Sequence, residues 1–306
     1  MLSFKDFTNE VLEKLKERLG YKYDFQVTEV EKNNNVKKIA IMAGKHGENS
    51  NIVVYMQDYY EKYINGVCIE QIIYSIGAFI QGNQIEIDIE EIKYFDKIKD
   101  RLFFRLINYK ANKAALGNIP HIKYLDLAIV FSLGFKDEGY MTMIINNTLM
   151  EVWGKSVEEL YKQTKKNTPL LFDVSFNSMN DVLLELAKER LKNEADALED
   201  AEKTLKKIEL PLYILTNEIG INGSAVMLYE GTLKEIAEGF GSDLIILPSS
   251  IHEVLILAYE EDLDIDELKE MVYMINRSEV PVVDILSDNI YRYSREKDEV
   301  YMVTEG

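Results

Sequence analysis

Residues 244–253 read Leu-Ile-Ile-Leu-Pro-Ser-Ser-Ile-His-Glu, and this stretch decides how the second half of the chain is interpreted. Its first four residues form an apolar run that predicts a buried strand, and the proline ends that strand. Ser250 and Glu253 lie three residues apart ahead of another apolar run, which is the spacing of a helix capping box. The pattern therefore predicts a strand over Leu244–Leu247 and a helix over Ile251–Tyr259.

The same turn contains the residue types of a hydrolytic site. Histidine titrates near neutral pH and often serves as a general base, and one of the three histidines, His252, lies beside Ser250. Adjacent residues of a helix do not face each other, so His252 and Glu253 would not aim at one point. The sequence also lacks the Gly-x-Ser-x-Gly elbow. Capping and packing are the favoured roles, and Ser250, His252 and Glu253 are kept as catalytic candidates.

Asp126 is a further candidate because it lies within the apolar stretch Tyr124–Phe131. A carboxylate in such a stretch must be paired, exposed, or shifted in its pKa. We interpret Asp126 as an edge residue or a hydrogen-bonded structural residue in preference to a catalytic one.

Further strands and helices are predicted on both sides of the opening stretch. The predicted strands, mostly in hairpins, are Leu125–Phe135, Tyr140–Ile145, Leu212–Thr216, Ala225–Tyr229, Ile285–Arg292 and Glu299–Val303. The predicted helices are Ser156–Lys166, Asn180–Lys207 and Ile265–Asn276, the first and last of which begin with capping signals.

The first segment predicts a helix, three strands and then more helices. Apolar residues spaced three or four apart over Phe4–Leu19 indicate a helix. Asp24–Glu31 and Val36–Ala43 alternate around three asparagines, which predicts a hairpin because asparagine tolerates the positive φ of tight turns. The remaining predicted elements are a strand over Asn51–Met56, helices over Asp58–Ile64 and Val67–Ile80, and a partly helical Phe95–Leu116. Cys68 falls in an apolar helical pattern and is interpreted as a small core residue.

Length and charge divide the chain into two parts. A chain of 306 residues is long enough for two domains, and few glycines and prolines indicate an ordered protein. Residues 1–120 contain 17 Lys+Arg and 17 Asp+Glu, so the net charge of −18 lies in residues 121–306. We therefore expect a charge-balanced N-terminal α+β lobe over 1–120 and a larger acidic α+β lobe over 121–306. Because the predicted strands and helices do not alternate regularly, we expect the fold class to be α+β, with two lobes of mixed antiparallel hairpins and helices.

Several classes of protein are disfavoured. The strongly negative charge argues against general nucleic-acid binding, which needs Lys and Arg to neutralise phosphates. No apolar stretch is long enough for a membrane span, the N-terminus lacks a signal-peptide layout, and a single cysteine allows no intrachain disulfide. We expect a cytoplasmic protein without membrane contact.

No cofactor or metal is expected. No histidine has a second potential metal ligand at the spacing of a known metal site, and the sequence contains no motif of a phosphate-binding loop. Asp262, Asp264 and Asp266 alternate as in a calcium loop, but the central glycine is missing, and Asp264 with Glu267 fits a helix start instead.

A family resemblance rests on several segments: Glu-Lys-Asn-Asn-Asn at 31–35, Val-Tyr-Met-Gln-Asp-Tyr-Tyr at 54–60, Leu-Ile-Asn-Tyr-Lys-Ala-Asn at 106–112, Tyr-Leu-Asp-Leu-Ala-Ile-Val at 124–130, Trp-Gly-Lys-Ser-Val-Glu-Glu-Leu-Tyr at 153–161, and Leu-Pro-Ser-Ser-Ile-His-Glu-Val at 247–254. Over nearly its whole length the chain resembles an uncharacterised bacterial family of unknown function, of the 5688 type. The second segment is more distantly similar to YtpQ-like proteins. The resemblance implies a bacterial cytosolic protein, and it implies no activity and no catalytic residue.

Three functions remain open. The leading hypothesis is a non-enzymatic binding or regulatory protein, with a protein partner, that uses a surface between the lobes or the acidic face, because no catalytic set is clustered in the sequence. The second is a hydrolase built around Ser250 and His252. The third is an acidic mimic of nucleic acid that binds a basic protein through the runs 193–202 and 260–270, although charged helix faces are normally just solvated.

Overall fold

The structure, a computed structural model, describes residues 1–48, 51–82, 88–135, 142–190 and 210–303. The predicted α+β class is confirmed, because the chain combines helices with sheets whose strands pair antiparallel. The chain divides into two compact units, Met1–Lys97 and Ile98–Gly306. This division lies ahead of the expected boundary at residue 120, since residues 102–108 form a strand that pairs within the second unit.

The first unit contains helix α1 (Phe4–Leu19), strands β1 (Tyr23–Glu31), β2 (Lys37–Lys45) and β3 (Asn51–Tyr55), and helices α2 (Met56–Ile64), α3 (Ile69–Gly82) and α4 (Ile89–Ile92). Helix α5 (Phe95–Ile98) lies at the boundary between the units. The strands form an antiparallel sheet in the order β1-β2-β3. The expected first hairpin is confirmed, with Thr28 opposite Ala40. Asn34 and Asn35 in its turn have φ values of 58° and 59°, the conformation for which asparagine was expected.

An apolar core holds the first unit together. Phe7, Val11 and Leu15 are fully buried at four-residue spacing on α1, and they belong to one cluster with residues of the sheet and of α3. The prediction for Cys68 was wrong, because this residue is exposed just before α3 and its thiol donates to the Glu70 carboxylate. The helical pattern extends over Cys68, but the helix begins at Ile69.

In the second unit, β4 (Leu102–Asn108), β5 (His121–Tyr124), β6 (Leu127–Gly134) and β7 (Thr142–Ile144) form a four-stranded antiparallel sheet. Both β5 and β7 pair with β6, which confirms the pairing of the second expected hairpin. The prediction of helix across 95–116 was wrong for β4. Phe103 and Phe104 are both buried although they point to opposite faces, so the strand carries a continuous apolar run that resembles a helix in sequence.

Helix α8 protects the outer edge of this sheet. Helices α6 (Lys113–Leu116), α7 (Asn147–Trp153) and α8 (Val157–Leu171) follow β4 in the chain, and α8 begins with the predicted capping box of Ser156 and Glu159. The Asn167 side chain donates to the carbonyls of Lys99 (2.6 Å) and Leu102 (2.9 Å). The Thr168 hydroxyl accepts from the Phe104 N–H at 3.1 Å. These bonds satisfy backbone groups that an edge strand would otherwise leave unpaired.

A second sheet of the same unit contains six antiparallel strands: β8 (Val174–Ser178), β9 (Tyr213–Asn217), β10 (Leu244–Leu247), β11 (Val254–Ala258), β12 (Tyr291–Ser294) and β13 (Glu299–Met302). Their order is β13-β12-β10-β11-β9-β8, so β10, which begins the stretch 244–253, lies at the centre of the sheet. The predicted hairpin at the C-terminal end is confirmed by the pairing of β12 with β13.

The prediction of a helix over 251–259 was wrong. Residues Val254–Ala258 form β11, which pairs with β10 so that Leu244 lies opposite Ala258. Ser250 and Glu253 lie in the loop between the two strands and cap no helix. The capping-box spacing is local, whereas an apolar run of five residues is also what a central strand requires.

The 3-10 helix Gly223–Leu228 replaces the strand expected over Ala225–Tyr229. Helices α9 (Met179–Arg190), α10 (Thr232–Phe240) and α11 (Ile265–Ser278) complete the described elements. The predicted start of α11 is confirmed, since the Asp264 carboxylate accepts from the N–H groups of Asp266 and Glu267. The acidic run 193–202, which is part of the helix predicted over Asn180–Lys207, and the start of the strand predicted over Tyr140–Ile145 lie outside the described residues. Within the described ranges, every helix is too short or too polar to cross a membrane.

Candidate functional site

A cavity of about 200 Å³ lies in the second unit where the start of β4, the end of α8 and the loop after β9 meet. Its inner wall is formed by buried residues, of which Phe103, Phe104, Ala225 and Tyr229 are at most 7% exposed. Leu171 lies at its rim and is 38% exposed. The cavity thus has a buried aromatic floor and an apolar mouth that solvent can reach.

The floor is fixed by ring contacts and hydrogen bonds. Phe103 and Phe172 pack edge to face with ring centroids 5.0 Å apart, and Phe104 packs in the same manner on Tyr229. The Tyr229 hydroxyl donates to the Phe172 carbonyl at 3.2 Å. Burial raises the pKa of Tyr229, so its phenol remains a protonated donor at neutral pH.

The loop after β9 forms a second, equally constrained wall. The Asn217 side chain accepts from the N–H of Ile221 (3.3 Å) and donates to its carbonyl (2.9 Å), which closes the loop on itself. Asn222 has a φ of 54°, and Gly223 follows it in a position where a side chain would not fit. An added Cβ on Gly223 would lie 2.1 Å from the Thr216 hydroxyl and 2.5 Å from the His252 carbonyl.

Five of the non-aromatic residues that line this cavity have polar side chains, and Arg101 and Thr142 are two of them. The hydroxyl of Thr168 is already used in bonds to Phe104 N–H and the Thr164 carbonyl. The Asn217 amide is committed to Ile221. Within the described chain, the side-chain amide of Asn222 has no hydrogen-bond partner, so it is available to a bound molecule.

The loop that follows β10 brings three of the sequence-predicted residues together. The Ser250 hydroxyl accepts from the His252 N–H at 3.0 Å. Burial raises the pKa of Glu253, while hydrogen bonding from Ser250 and the nearby His252 ring partly offset that effect. His252 Nε2 lies 3.4 Å from a carboxylate oxygen of Asp284, a residue that sequence reasoning missed.

The bonds of the His252 ring do not suit a general base for serine. The Asn222 N–H donates to Nδ1 at 3.3 Å, so the neutral tautomer carries its proton on Nε2, which faces Asp284. A hydrolase needs an imidazole lone pair that faces the nucleophilic hydroxyl. No bond joins the ring to Ser250 among the residues that the structure describes. The cluster fastens the β10–β11 loop to neighbouring loops.

Asp126 lies apart from this cluster, in the tight turn between β5 and β6. Its carboxylate accepts from the Ser287 hydroxyl (2.7 Å), the Asn289 amide (2.9 Å) and the Tyr291 hydroxyl. These three hydrogen bonds join the turn to the chain entering β12. The geometry matches the hydrogen-bonded structural role considered for this residue.

The sequence did not reveal the aromatic floor. Phe103, Phe172 and Tyr229 come from three separate parts of the chain, and each lies in an apolar pattern that also describes ordinary core residues. Asp284 could not be paired with His252 from sequence because it belongs to a turn, Val282–Asp284, that carries no motif. The only available signal was the composition of the turn around His252.

The described part of the chain contains no cluster of three or more His, Cys, Asp or Glu side chains able to hold a metal ion. Asp264, the central residue of the acidic alternation, is engaged as the cap of α11.

Residues 4–295 match the model of a protein family described as a family of unknown function. No curated protein and no solved structure matches the chain. The match therefore extends over both units and brings no activity with it.

Proposed function

The chain belongs to this family, DUF5688, and we propose that it is a non-enzymatic binding protein whose second unit holds a small, largely apolar ligand. The observation that carries the proposal is the cavity with its buried aromatic floor and exposed apolar rim. Ligand sites are typically concave, mostly apolar, and furnished with a few polar groups that orient the ligand. The Asn222 amide is a polar group of this kind, and the Arg101 side chain also lines the cavity.

The size of the cavity limits the ligand. An apolar cavity of roughly 150 Å³ accommodates a benzene ring in another protein. A space of about 200 Å³ is therefore suited to a single ring system with short substituents. The edges and faces of Phe103, Phe172 and Tyr229 favour an aromatic ligand over an aliphatic one, because ring pairs gain energy beyond the area that they bury.

Binding is favoured over the hydrolase hypothesis by the bonds around His252. Its Nδ1 lone pair accepts from Asn222, and the Ser250 hydroxyl accepts from the backbone. A hydrolytic role would require both groups to exchange these bonds before each turnover. The nucleic-acid mimic hypothesis gains no comparable support, since Asp264 in the described acidic run is engaged in helix capping.

The experiment uses the full-length protein and indole as an aromatic probe. Titration followed by saturation-transfer NMR and by thermal denaturation should show saturable binding that raises the melting temperature. Ala225→Ile fills the floor of the cavity and should weaken indole binding by at least about tenfold. A folded Ala225→Ile protein that binds indole as tightly as the wild type, or a wild type without saturable binding, overturns the proposal.

A second pair of variants guards against misfolding of Ala225→Ile. Leu171→Gln makes the rim polar, whereas Leu186→Gln changes an exposed helical leucine that does not line the cavity. The two leucines are 38% and 45% exposed, so the substitutions have similar costs to folding. Only Leu171→Gln should weaken indole binding, and equal weakening in both variants contradicts the proposed site.

A further inference from the structure

The four-stranded sheet of the second unit contains a half-buried arginine that has no counter-charge among the described residues. Arg105 lies in the middle of β4, and its Nε is sealed from solvent without a hydrogen-bond partner. In contrast, Arg277 and Arg292 of the same unit bind the carboxylates of Asp288 and Asp243. Within the described residues, no carboxylate forms an ion pair with Arg105. Arg105 as a whole residue is only half-buried, although its Nε is sealed from solvent.

A buried hydroxyl without a partner lies next to this arginine. Ser132 on β6 is fully buried, and its Oγ has no hydrogen-bond partner in the part of the chain that the structure describes. In the register of the two strands, Arg105 is opposite Val130 and Phe103 is opposite Ser132. Arg105 and Ser132 are therefore diagonal neighbours on one face, with Cβ atoms roughly 7–8 Å apart or less. The arginine side chain extends several ångströms beyond its Cβ, so its Nε–H and the Ser132 hydroxyl can approach one anion.

Two buried donors on one face, both without acceptors, point to a missing group. Native proteins satisfy nearly all buried polar atoms, and exceptions commonly mark a bound ion or water. We propose that Arg105 and Ser132 form a binding site for a small oxyanion, either a carboxylate or a phosphate, which accepts from Arg105 Nε–H and from the Ser132 hydroxyl. This site is separate from the aromatic cavity, since neither residue lines it.

An anion fits this site better than a water molecule. Burial lowers the pKa of Arg105 to about 10, so the guanidinium is still charged at neutral pH. Phe103 and Val130 beside it are nearly fully buried and offer no charge to balance it. Water could accept the hydrogen bonds but could not neutralise the charge in such apolar surroundings. The chain has a net charge of −18, so an anion would be held by this local pair and not by the overall field.

The proposal is tested on the full-length protein by thermal denaturation and calorimetric titration. Phosphate and acetate are each added at constant ionic strength maintained with chloride, and the two arms distinguish a phosphate site from a carboxylate site. The wild type should show saturable binding of one of these anions and a rise in melting temperature beyond that in chloride. An effect of the same size with chloride alone would indicate general screening and would overturn the proposal.

Three variants distinguish anion binding by Arg105 and Ser132 from anion binding by other cations of the protein. Ser132→Ala removes a hydroxyl that makes no bond within the protein, so the fold should be retained and anion affinity should fall by at least about tenfold. Arg105→Lys keeps the charge but loses the planar guanidinium and should also weaken binding. Lys123→Met removes an exposed cation of the same sheet and should leave binding unchanged. Equal anion affinity in wild type and Ser132→Ala would show that the two side chains do not form a site.

Discussion

The Tyr291 hydroxyl donates to the Asp126 carboxylate, and this bond joins the turn of one sheet of the second unit to a strand of the other. Tyr291 is fully buried, and burial together with the neighbouring Asp126 raises the pKa of its phenol. The phenol therefore remains a donor throughout the neutral range. The Asp126 carboxylate, a catalytic candidate in the sequence, thus accepts hydrogen bonds that link the two sheets.

Removal of this donor should destabilise the protein. Tyr291→Phe keeps the packed ring but leaves Asp126 with one donor fewer, and hydrogen bonds to charged groups contribute about 1.5–3 kcal/mol. We expect a loss of this order in the free energy of unfolding, measured by urea denaturation. Tyr293→Phe is the matched control, since Tyr293 on the same strand donates to Asp298, which water can solvate. An equal loss in both variants would contradict the special role of the Asp126 bond.

Gly223 should tolerate no side chain. A Cβ at this position would lie 2.1 Å from Thr216 Oγ1 and 2.7 Å from the Asn217 N atom, and the backbone nitrogen cannot move without shifting β9. Gly223→Ala should therefore destabilise the protein by roughly 2–4 kcal/mol, as overpacking with backbone shifts does. The measurement is chemical denaturation.

The control for that substitution is Gly239→Ala. Gly239 lies in α10 with open space around its Cα, so alanine should stabilise the helix by roughly 0.5–1 kcal/mol. Opposite signs for the two glycine variants are expected. A Gly223→Ala protein as stable as the wild type would mean that the loop after β9 is far less constrained than its contacts indicate.

Local features of the sequence predicted local structure well. The asparagine turn after β1, the capping box of α8 and the Asp264 cap of α11 depend on residues within four positions of one another, so their patterns are decisive. The strands β4 and β11 were read as helices, because an apolar run that is buried on both faces has no period of its own. Whether such a run forms a helix or a strand depends on pairing with strands that are distant in the sequence.

The candidate sites show the same limitation. Ser250, His252 and Glu253 were identified from one turn and do cluster. The Asn222 N–H that donates to Nδ1 of His252, however, comes from another loop. Arg105 is a charge within an apolar strand, the same signal that identified Asp126. The sequence could not reveal that Asp126 has three donors whereas Arg105 has no counter-charge among the described residues, because both facts depend on tertiary contacts.

The edge of β4 provides a prediction about Thr168. Its hydroxyl donates to the carbonyl four residues earlier and also accepts from the Phe104 N–H. Thr168→Val keeps the shape but leaves that buried N–H without an acceptor, which costs about 1–3 kcal/mol. Urea denaturation should show this loss in the free energy of unfolding.

Thr8→Val is a close control for this substitution. Thr8 is also a buried helical threonine whose hydroxyl donates to the carbonyl four residues earlier, that of Phe4. Among the described strands, however, no N–H group donates to it. Its replacement should change stability by less than about 1 kcal/mol. Similar losses in both variants would indicate that the bond to Phe104 contributes little.

Glu253 should make the stability of the protein depend on pH. Burial raises the pKa of Glu253 above its ordinary value, so the folded state binds the proton more tightly than the unfolded state. The unfolding free energy therefore falls as the pH rises from the ordinary glutamic acid pKa through the raised folded value, and the penalty persists at neutral pH.

Glu253→Gln removes the titrating group and retains an acceptor for Ser250. We expect the variant to be more stable than the wild type at pH 7, with the difference vanishing in acid. Glu261→Gln, at an exposed position, removes the same charge and serves as the control in denaturation series between pH 4 and pH 8. A difference between Glu253→Gln and wild type that stays constant across this range would show that Glu253 ionises as freely in the folded protein as in the unfolded chain.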